Sequence, residues 1–294
     1  MRVRERFPLS IPSLDALDAG PRVVLERTVD ALDAVEILQL PPFDLVLMGR
    51  ALRKQFIQVE QRTTPERIVV QTDDRLLILS GAGGDASFDL VQIPIRDILA
   101  FEWACILVHS WIQITWEEVG RVVHTRLDFN SVGVSVVRGL LSGLQAAALG
   151  PMYRAGAEPS PEPPPEIMRL PMKFMNAVRL DTLLSGEQVL ASVFDPGDPP
   201  GRLFRRGRER QLWLATNYHG TLIRQPLEMW PYGQVIQIYP RTRVNRVGVN
   251  ETERGVVLEL TLGKVPYVTE SIFPRALRSA LVSSTESLHL AIER

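Results

Sequence analysis

The chain holds a single cysteine, Cys105, among 294 residues, and only four histidines. One cysteine excludes an internal disulfide framework and a cysteine-built zinc site. Cys105 lies in the apolar run Trp103-Ala-Cys-Ile-Leu-Val108 and reads as a buried small hydrophobe. His109, His124, His219 and His289 show no H-x-x-H or H-E-x-x-H spacing, so no metalloprotease-like pair is present. His124 alternates with apolar Val123 and is expected on an outer strand face, and His219 is expected in a turn. A strong charge of either sign is also missing: the formal net charge is −1, which excludes a basic nucleic-acid coat and an acidic tail protein. No stretch approaches 18 uncharged apolar residues, so no membrane span is expected. Residues Met1-Arg-Val-Arg-Glu-Arg-Phe-Pro8 lack the apolar region of a secretory signal, and the cytoplasm is the expected compartment.

What is present is ordinary globular material, 45% hydrophobic and 23% charged. Proline is plentiful but concentrated. Pro159, Pro161, Pro163, Pro164 and Pro165 fall within residues 150–171, where missing amide donors and a fixed φ hold the chain near polyproline II. This reads as a semi-rigid linker with no packed element. Four regions follow: an extension at 1–36, domains at 37–149 and 172–294, and the linker between them. In the extension, the spacing of Leu25, Val29 and Leu32 predicts an amphipathic helix over Pro21–Ala34 that packs on its own domain.

The segments on either side of the linker are alike. Val70-Gln-Thr-Asp-Asp-Arg-Leu-Leu-Ile78 matches Leu214-Ala-Thr-Asn-Tyr-His-Gly-Thr-Leu-Ile223, and Ile93-Pro-Ile-Arg-Asp-Ile98 matches Ile238-Tyr-Pro-Arg-Thr-Arg-Val244. The alternating strands Ile112-Gln-Ile-Thr-Trp116 and Leu258-Glu-Leu-Thr-Leu262 follow in the same order. Thr72 and Thr216 lie 144 positions apart, Pro94 and Pro240 lie 146 apart, and so do Ile112 and Leu258. Such constancy implies an internal duplication. Each copy then changes from period two to helical spacing, with Val134, Val137, Leu141 and Leu144 in one and Leu277, Leu281, Leu288 and Ile292 in the other. The expected fold class is α+β, mainly β, with two bent antiparallel sheets or open barrels, each capped by a C-terminal helix over Ser131–Leu149 and Phe273–Ile292.

This plan resembles the pleckstrin-homology-like fold in its bacterial, GRAM-like tandem form. The resemblance rests on Thr72-Asp73-Asp74-Arg75-Leu76, the Ile93-Pro-Ile95 strand and the terminal helix, and it covers about 40–149 and 180–294. The second copy departs from the first in reading Asn217-Tyr218-His219 for Asp73-Asp74-Arg75.

Catalytic motifs fail on context. Gly81-Ala-Gly-Gly-Asp-Ala86 matches a dinucleotide fingerprint, but the strand Phe88–Pro94 follows it instead of a helix, so it reads as a hairpin loop. Gly139-Leu-Leu-Ser-Gly143 misses the nucleophile-elbow spacing and lies within a helix. Asp73-Asp74 reads as turn chemistry, because aspartate bonds its own backbone there. Trp103, Trp111, Trp116 and Trp213 read as core, and Trp230 in its proline-rich loop is the one expected at the surface.

The sharpest functional feature is Gly201-Arg-Leu-Phe-Arg-Arg-Gly-Arg-Glu-Arg210. Residues 171–294 carry 16 Lys+Arg against 12 Asp+Glu, while 1–170 carry 17 against 22. In lipid-binding members of the resembled fold the first hairpin holds phosphate ligands, which makes Arg205, Arg206, Arg208 and Arg210 the candidate ligand-binding residues. Four such charges near an anionic surface supply roughly 4 kcal/mol, only about millimolar binding, so a shaped pocket or an apolar anchor such as Phe204 or Trp230 has to add the rest. The leading expectation is a non-catalytic interaction protein that binds a protein partner, by way of open sheet edges. Anionic lipid or a phosphorylated ligand at the arginine loop is the alternative, and an enzyme whose residues converge from separate strands is the third. No cofactor, metal or nucleic acid is expected.

Overall fold

A computed structural model describes residues 7–29, 34–42, 44–50, 56–81, 88–106, 109–153, 162–198, 207–227 and 233–292. The chain is mainly β, in antiparallel sheets that do not close into barrels, and it ends in a helix. The first sheet runs β1 (Leu9–Ile11), β2 (Ala34–Leu40), β5 (Glu66–Thr72), β6 (Arg75–Gly81) and β7 (Phe88–Pro94). A hairpin, β3 (Asp44–Arg50) with β4 (Phe56–Thr63), is inserted between β2 and β5. Alternation decides which side chains turn inward: Ile37, Ile68, Val70, Leu77 and Leu79 form one buried cluster. Helix α1 (Ala19–Glu26) places Leu25 on that cluster, and Val29 follows just beyond the helix. The helix is shorter than the periodicity predicts. It starts before Pro21 and ends at Glu26, where the Thr28 hydroxyl caps the Val24 carbonyl, and by Ala34 the chain is a strand. With β1 paired to β2, residues 9–29 belong to the first sheet and its core and do not form an extension.

Strands β8 (Ile98–Cys105), β9 (His109–Glu118) and β10 (Arg121–Asn130) follow, then helix α2 (Val134–Leu149). The α2 side chains Val137, Leu140, Leu141, Leu144, Ala148 and Leu149 are buried at the spacing of one helix face. With its flanking turns, Ser131–Met152 is the one helix among the described residues long and apolar enough to cross a membrane, a feature the count of uncharged residues missed because Arg138 interrupts it. Less than half of its most apolar stretch is buried. Cys105 is half-buried.

The proline-rich segment is more structured than its composition implies. After Pro164, α3 (Pro165–Met168) begins on a proline, which suits the first helical position, and it buries Ile167 completely. Helix α4 (Met172–Asn176) and a π-helical turn over Ala177–Thr182 continue it, burying Phe174, Ala177 and Val178. Phe174 meets Phe194 edge-on at 5.2 Å. Burial of each of Ile167, Phe174 and Val178 is worth about 1.5–3 kcal/mol, so residues 165–182 are part of a core rather than a free hinge.

Strands β11 (Val189–Asp195), β12 (Arg210–Thr216), β13 (His219–Gln225) and β14 (Gln234–Pro240) form a meander, and β15 (Val244–Thr252), β16 (Gly255–Leu262) and β17 (Tyr267–Phe273) form a three-stranded sheet followed by α5 (Arg278–Ile292). The meander does not stop at β14. β8 pairs antiparallel with it from Cys105 opposite Gln234 to Phe101 opposite Ile238, giving the seven-stranded order β10-β9-β8-β14-β13-β12-β11. Consequently the two compact units do not follow the 37–149 and 172–294 division. One gathers the described residues of Met1–Ile95, Val108–Ser110 and Asp128–Leu144; the other gathers Arg96–Leu107, Trp111–Leu127 and Gln145–Arg294. The physical reason is the ladder: strands that share main-chain hydrogen bonds share a core whatever their distance in sequence. In the second unit Trp213, Leu222, Tyr239, Leu258, Leu260, Phe273, Leu281 and Leu288 make that core.

Element order repeats along the chain. β5 and β12 start 144 positions apart, as do β6 and β13; β8 and β15, β9 and β16, and β10 and β17 start 146 apart; α2 and α5 start 144 apart. The hairpin turns match in detail. Thr72 Oγ1 accepts the Arg75 amide at 3.1 Å, and Thr216 Oγ1 accepts the His219 amide at 2.7 Å. Each hydroxyl also donates to the carbonyl of the same residue, at 3.1 and 3.0 Å. Asp74 lies within the first turn, bonded by Thr72 and Arg75, in keeping with its reading as turn chemistry.

The two-residue turn between β9 and β10 uses Val119 at φ 44° and Gly120 at φ 76°. A β-branched residue is strained at positive φ, whereas Asn-Gly is the favoured pair in such a hairpin. Val119 is 99% exposed, so nothing packs against it. Val119→Asn is expected to raise stability by about 1 kcal/mol, and thermal unfolding should show a midpoint roughly 2–4 °C higher.

Candidate functional site

Two prolines precede turns that contribute side chains to one cleft. Pro94 ends β7 and Pro240 ends β14, and each is followed by a 3-10 turn, Ile95–Asp97 and Arg241–Arg243. The turns are braced alike: the Ile95 amide donates to the Asp74 carbonyl at 2.8 Å, and the Arg241 amide to the Tyr218 carbonyl at 2.9 Å. A cleft of about 720 Å³ in the second unit is lined by Arg96, Asp97, Leu99 and Glu117 from one half of the sequence, and by Thr242, Arg243, Asn245, Gly263 and Lys264 from the other. Eight of these nine fall into four pairs 146 positions apart: Arg96 with Thr242, Asp97 with Arg243, Leu99 with Asn245, and Glu117 with Gly263. Residues at a constant offset thus form the walls, with different chemistry on each side.

The frame of the cleft is fixed. The Gly263 amide donates to the Arg243 carbonyl at 3.0 Å, the Asn245 amide group donates to the Gly263 carbonyl, and the Lys264 amide donates to Glu117 Oε2 at 2.9 Å. Gly263 sits at φ 74°, and a Cβ there would come within 2.7 Å of Leu99, so only glycine fits. Arg243 is half-buried. Desolvation lowers its guanidinium below the ordinary arginine range, and the nearby Asp97 and Glu117 carboxylates oppose that shift.

The arginine loop falls into two parts. Arg205 and Arg206 lie outside the described residues. Arg208 is turned inward: its backbone bridges Asp198, and its guanidinium stands 3.3 Å from the fully buried Asp195 and 3.4 Å from Asp198. Asp195 Oδ2 has no aligned hydrogen-bond donor, so the contact is a charge attraction rather than a directed bond. Arg210 donates from Nε to the Pro196 carbonyl at 3.1 Å. Arg208 and Arg210 therefore brace the ends of β11 and β12. The sequence reading of the run as one exposed basic cluster could not anticipate this, because Asp195 was not legible as a buried partner.

His219 is the other departure. It opens β13, wholly buried, where the sequence predicts a turn. Its Nδ1 lies 2.9 Å from Glu187 Oε1, which also accepts the Thr216 hydroxyl, while Glu187 Oε2 accepts the Leu184 amide at 2.8 Å. A carboxylate–histidine pair is a familiar acid–base arrangement, but His219 Nε2, the nitrogen that would act, is buried with no hydrogen-bond partner, and Glu187 is 1% exposed. The pair ties the chain before β11 to the β12–β13 turn. His109 pairs with Asp128 at 2.8 Å, and His124 is exposed on β10 as expected. Among the described residues no group of three His, Cys, Asp or Glu side chains could hold a metal. Trp103, Trp111, Trp116 and Trp213 are buried, while Trp230 lies outside the described residues.

No known protein family matches this sequence, and no curated protein does.

Glu187→Ala would orphan the His219 Nδ1, the Thr216 hydroxyl and the Leu184 amide at a dry site. The expected cost is roughly 2–4 kcal/mol in denaturant unfolding, a structural loss, whereas an exposed glutamate such as Glu253 changed to Ala should stay within about 0.5 kcal/mol.

Proposed function

We propose that the chain is a non-catalytic interaction protein made of two pleckstrin-homology-like copies, and that it captures a protein partner by adding a strand of that partner to β7. What supports the duplication is the repeated order of meander, 3-10 turn, three strands and helix, at offsets of 144 and 146. What supports the mode of binding is a single observation. β14 takes β8 along its outer edge over five residue pairs, while β7, its counterpart in the first copy, has no strand on its outer edge among the described residues.

An open antiparallel edge offers a row of main-chain donors and acceptors. Strand addition supplies affinity through those bonds, at about 0.5–1.5 kcal/mol net each, and specificity through alternate side chains. On β7 the buried Ile93 anchors the strand. Asp89 and Gln92 are exposed and Val91 is half-buried, and Asp89 is the one charged residue of the strand. Nothing in this mode of binding needs a catalytic group.

The amides of adjacent strand residues point to opposite edges, so of Val91→Pro and Gln92→Pro one loses a ladder bond to β6 and the other blocks only the outer edge. Thermal unfolding identifies the outward variant as the one that keeps its midpoint. That variant is expected to lose a partner captured from native cells by the full-length wild type. Equal capture of the same partner by wild type and by the outward variant overturns the reading.

A further inference from the structure

We infer that the cleft between the two proline-initiated turns binds a phosphate ester that also carries hydroxyl or amino donors. The volume of about 720 Å³ lies within the span of small-molecule sites. Arg96, Arg243 and Lys264 line it, and among the described residues none of their cationic groups has a hydrogen-bond or ion-pair partner. Two of them, Arg96 and Lys264, are exposed at the rim, and Arg243 is half-buried with its Nε sealed and unpartnered. The Asp97 and Glu117 carboxylates offset only part of the desolvation of Arg243, and an incoming oxyanion relieves the rest with charge-assisted bonds. Inorganic phosphate alone does not complete the site, because Asp97 and Glu117 share the same walls. A ligand that presents oxyanions to the three cations must offer donors to these two carboxylates, which a bare anion cannot do.

The inference is independent of the strand-addition reading, since β7 contributes no residue to the cleft, and it is equally distinct from the arginine loop. The same chemistry occurs in a soluble sugar phosphate and in a glycerol-bearing phospholipid headgroup. Calorimetric titration of the full chain with glucose 6-phosphate and with inorganic phosphate, together with co-sedimentation on phosphatidylcholine vesicles with and without phosphatidylglycerol, separates the two sources. Glucose 6-phosphate is expected to bind more tightly than phosphate. Arg243→Met and Arg96→Ala should each weaken it about tenfold or more, the size of one charge-assisted bond. Asp97→Asn should narrow the preference over phosphate, and Arg205→Ala with Arg206→Ala should leave binding unchanged. Arg96 is exposed, so its variant reports on binding even if the Arg243 variant unfolds. Retention only on phosphatidylglycerol vesicles, lost with Arg96→Ala, assigns the site to a lipid headgroup. Absence of binding to every probe, or variants that bind like wild type, overturns the proposal.

Discussion

The join between β8 and β14 is the interaction on which the rest of the second unit depends. Five residue pairs connect strands that lie more than a hundred positions apart in sequence, and they do so through the main chain. Side chains reinforce the register. Gln237 donates to Glu102 Oε2 at 2.9 Å directly across the ladder, the Trp111 indole donates to Glu102 Oε1 at 3.1 Å from β9, and the buried Tyr239 hydroxyl donates to Gln237 at 3.1 Å. Burial drives the Tyr239 phenol pKa strongly upward, which keeps it a neutral donor in that chain. A slip of one residue would turn every one of these groups to the wrong face.

The seven-stranded sheet that this join creates presents two faces to be covered. The three-stranded sheet and α5 take the face bearing Trp213, Leu222 and Tyr239, while Phe174 at the end of the proline-rich segment meets Phe194. The prolines that discourage a long helix are compatible with this, because Pro165 opens one short helix and Pro171 precedes another. The turns after Pro94 and Pro240 each bury their first residue, Ile95 and Arg241, and line the cleft with the two that follow.

Much of the fold was legible in the sequence because it rests on local rules. Ile112, Ile114 and Trp116 alternate and are buried; Val137, Leu141 and Leu144 recur at helical spacing and are buried; the Asp73-Asp74 turn follows from aspartate chemistry. What was not legible depends on which distant group comes near. An edge strand carries no mark of its partner, so β8 beside β14 could not be read. His219 looked like a turn residue because Glu187, far upstream, is what makes its burial tolerable. The linker looked bare because five prolines dominate residues 159–165, although Ile167, Leu170 and Phe174 recur at helical spacing just beyond them. The candidate site divides in the same way. The arginine run was visible as composition, but the inward turn of Arg208 toward Asp195 was not. The cleft residues, spread from Arg96 to Lys264, form no motif; a constant offset of 146 between four pairs of them was their trace in the sequence.

Amide hydrogen exchange across Phe101–Cys105 and Gln234–Ile238 tests the shared ladder most directly. The inward-facing amides of both strands should exchange in one cooperative opening with a common free energy, close to that of global unfolding of the unit. Slow exchange in β14 alongside fast, independent exchange in β8 would mean that the two halves keep separate sheets, and the account built on their union would fall.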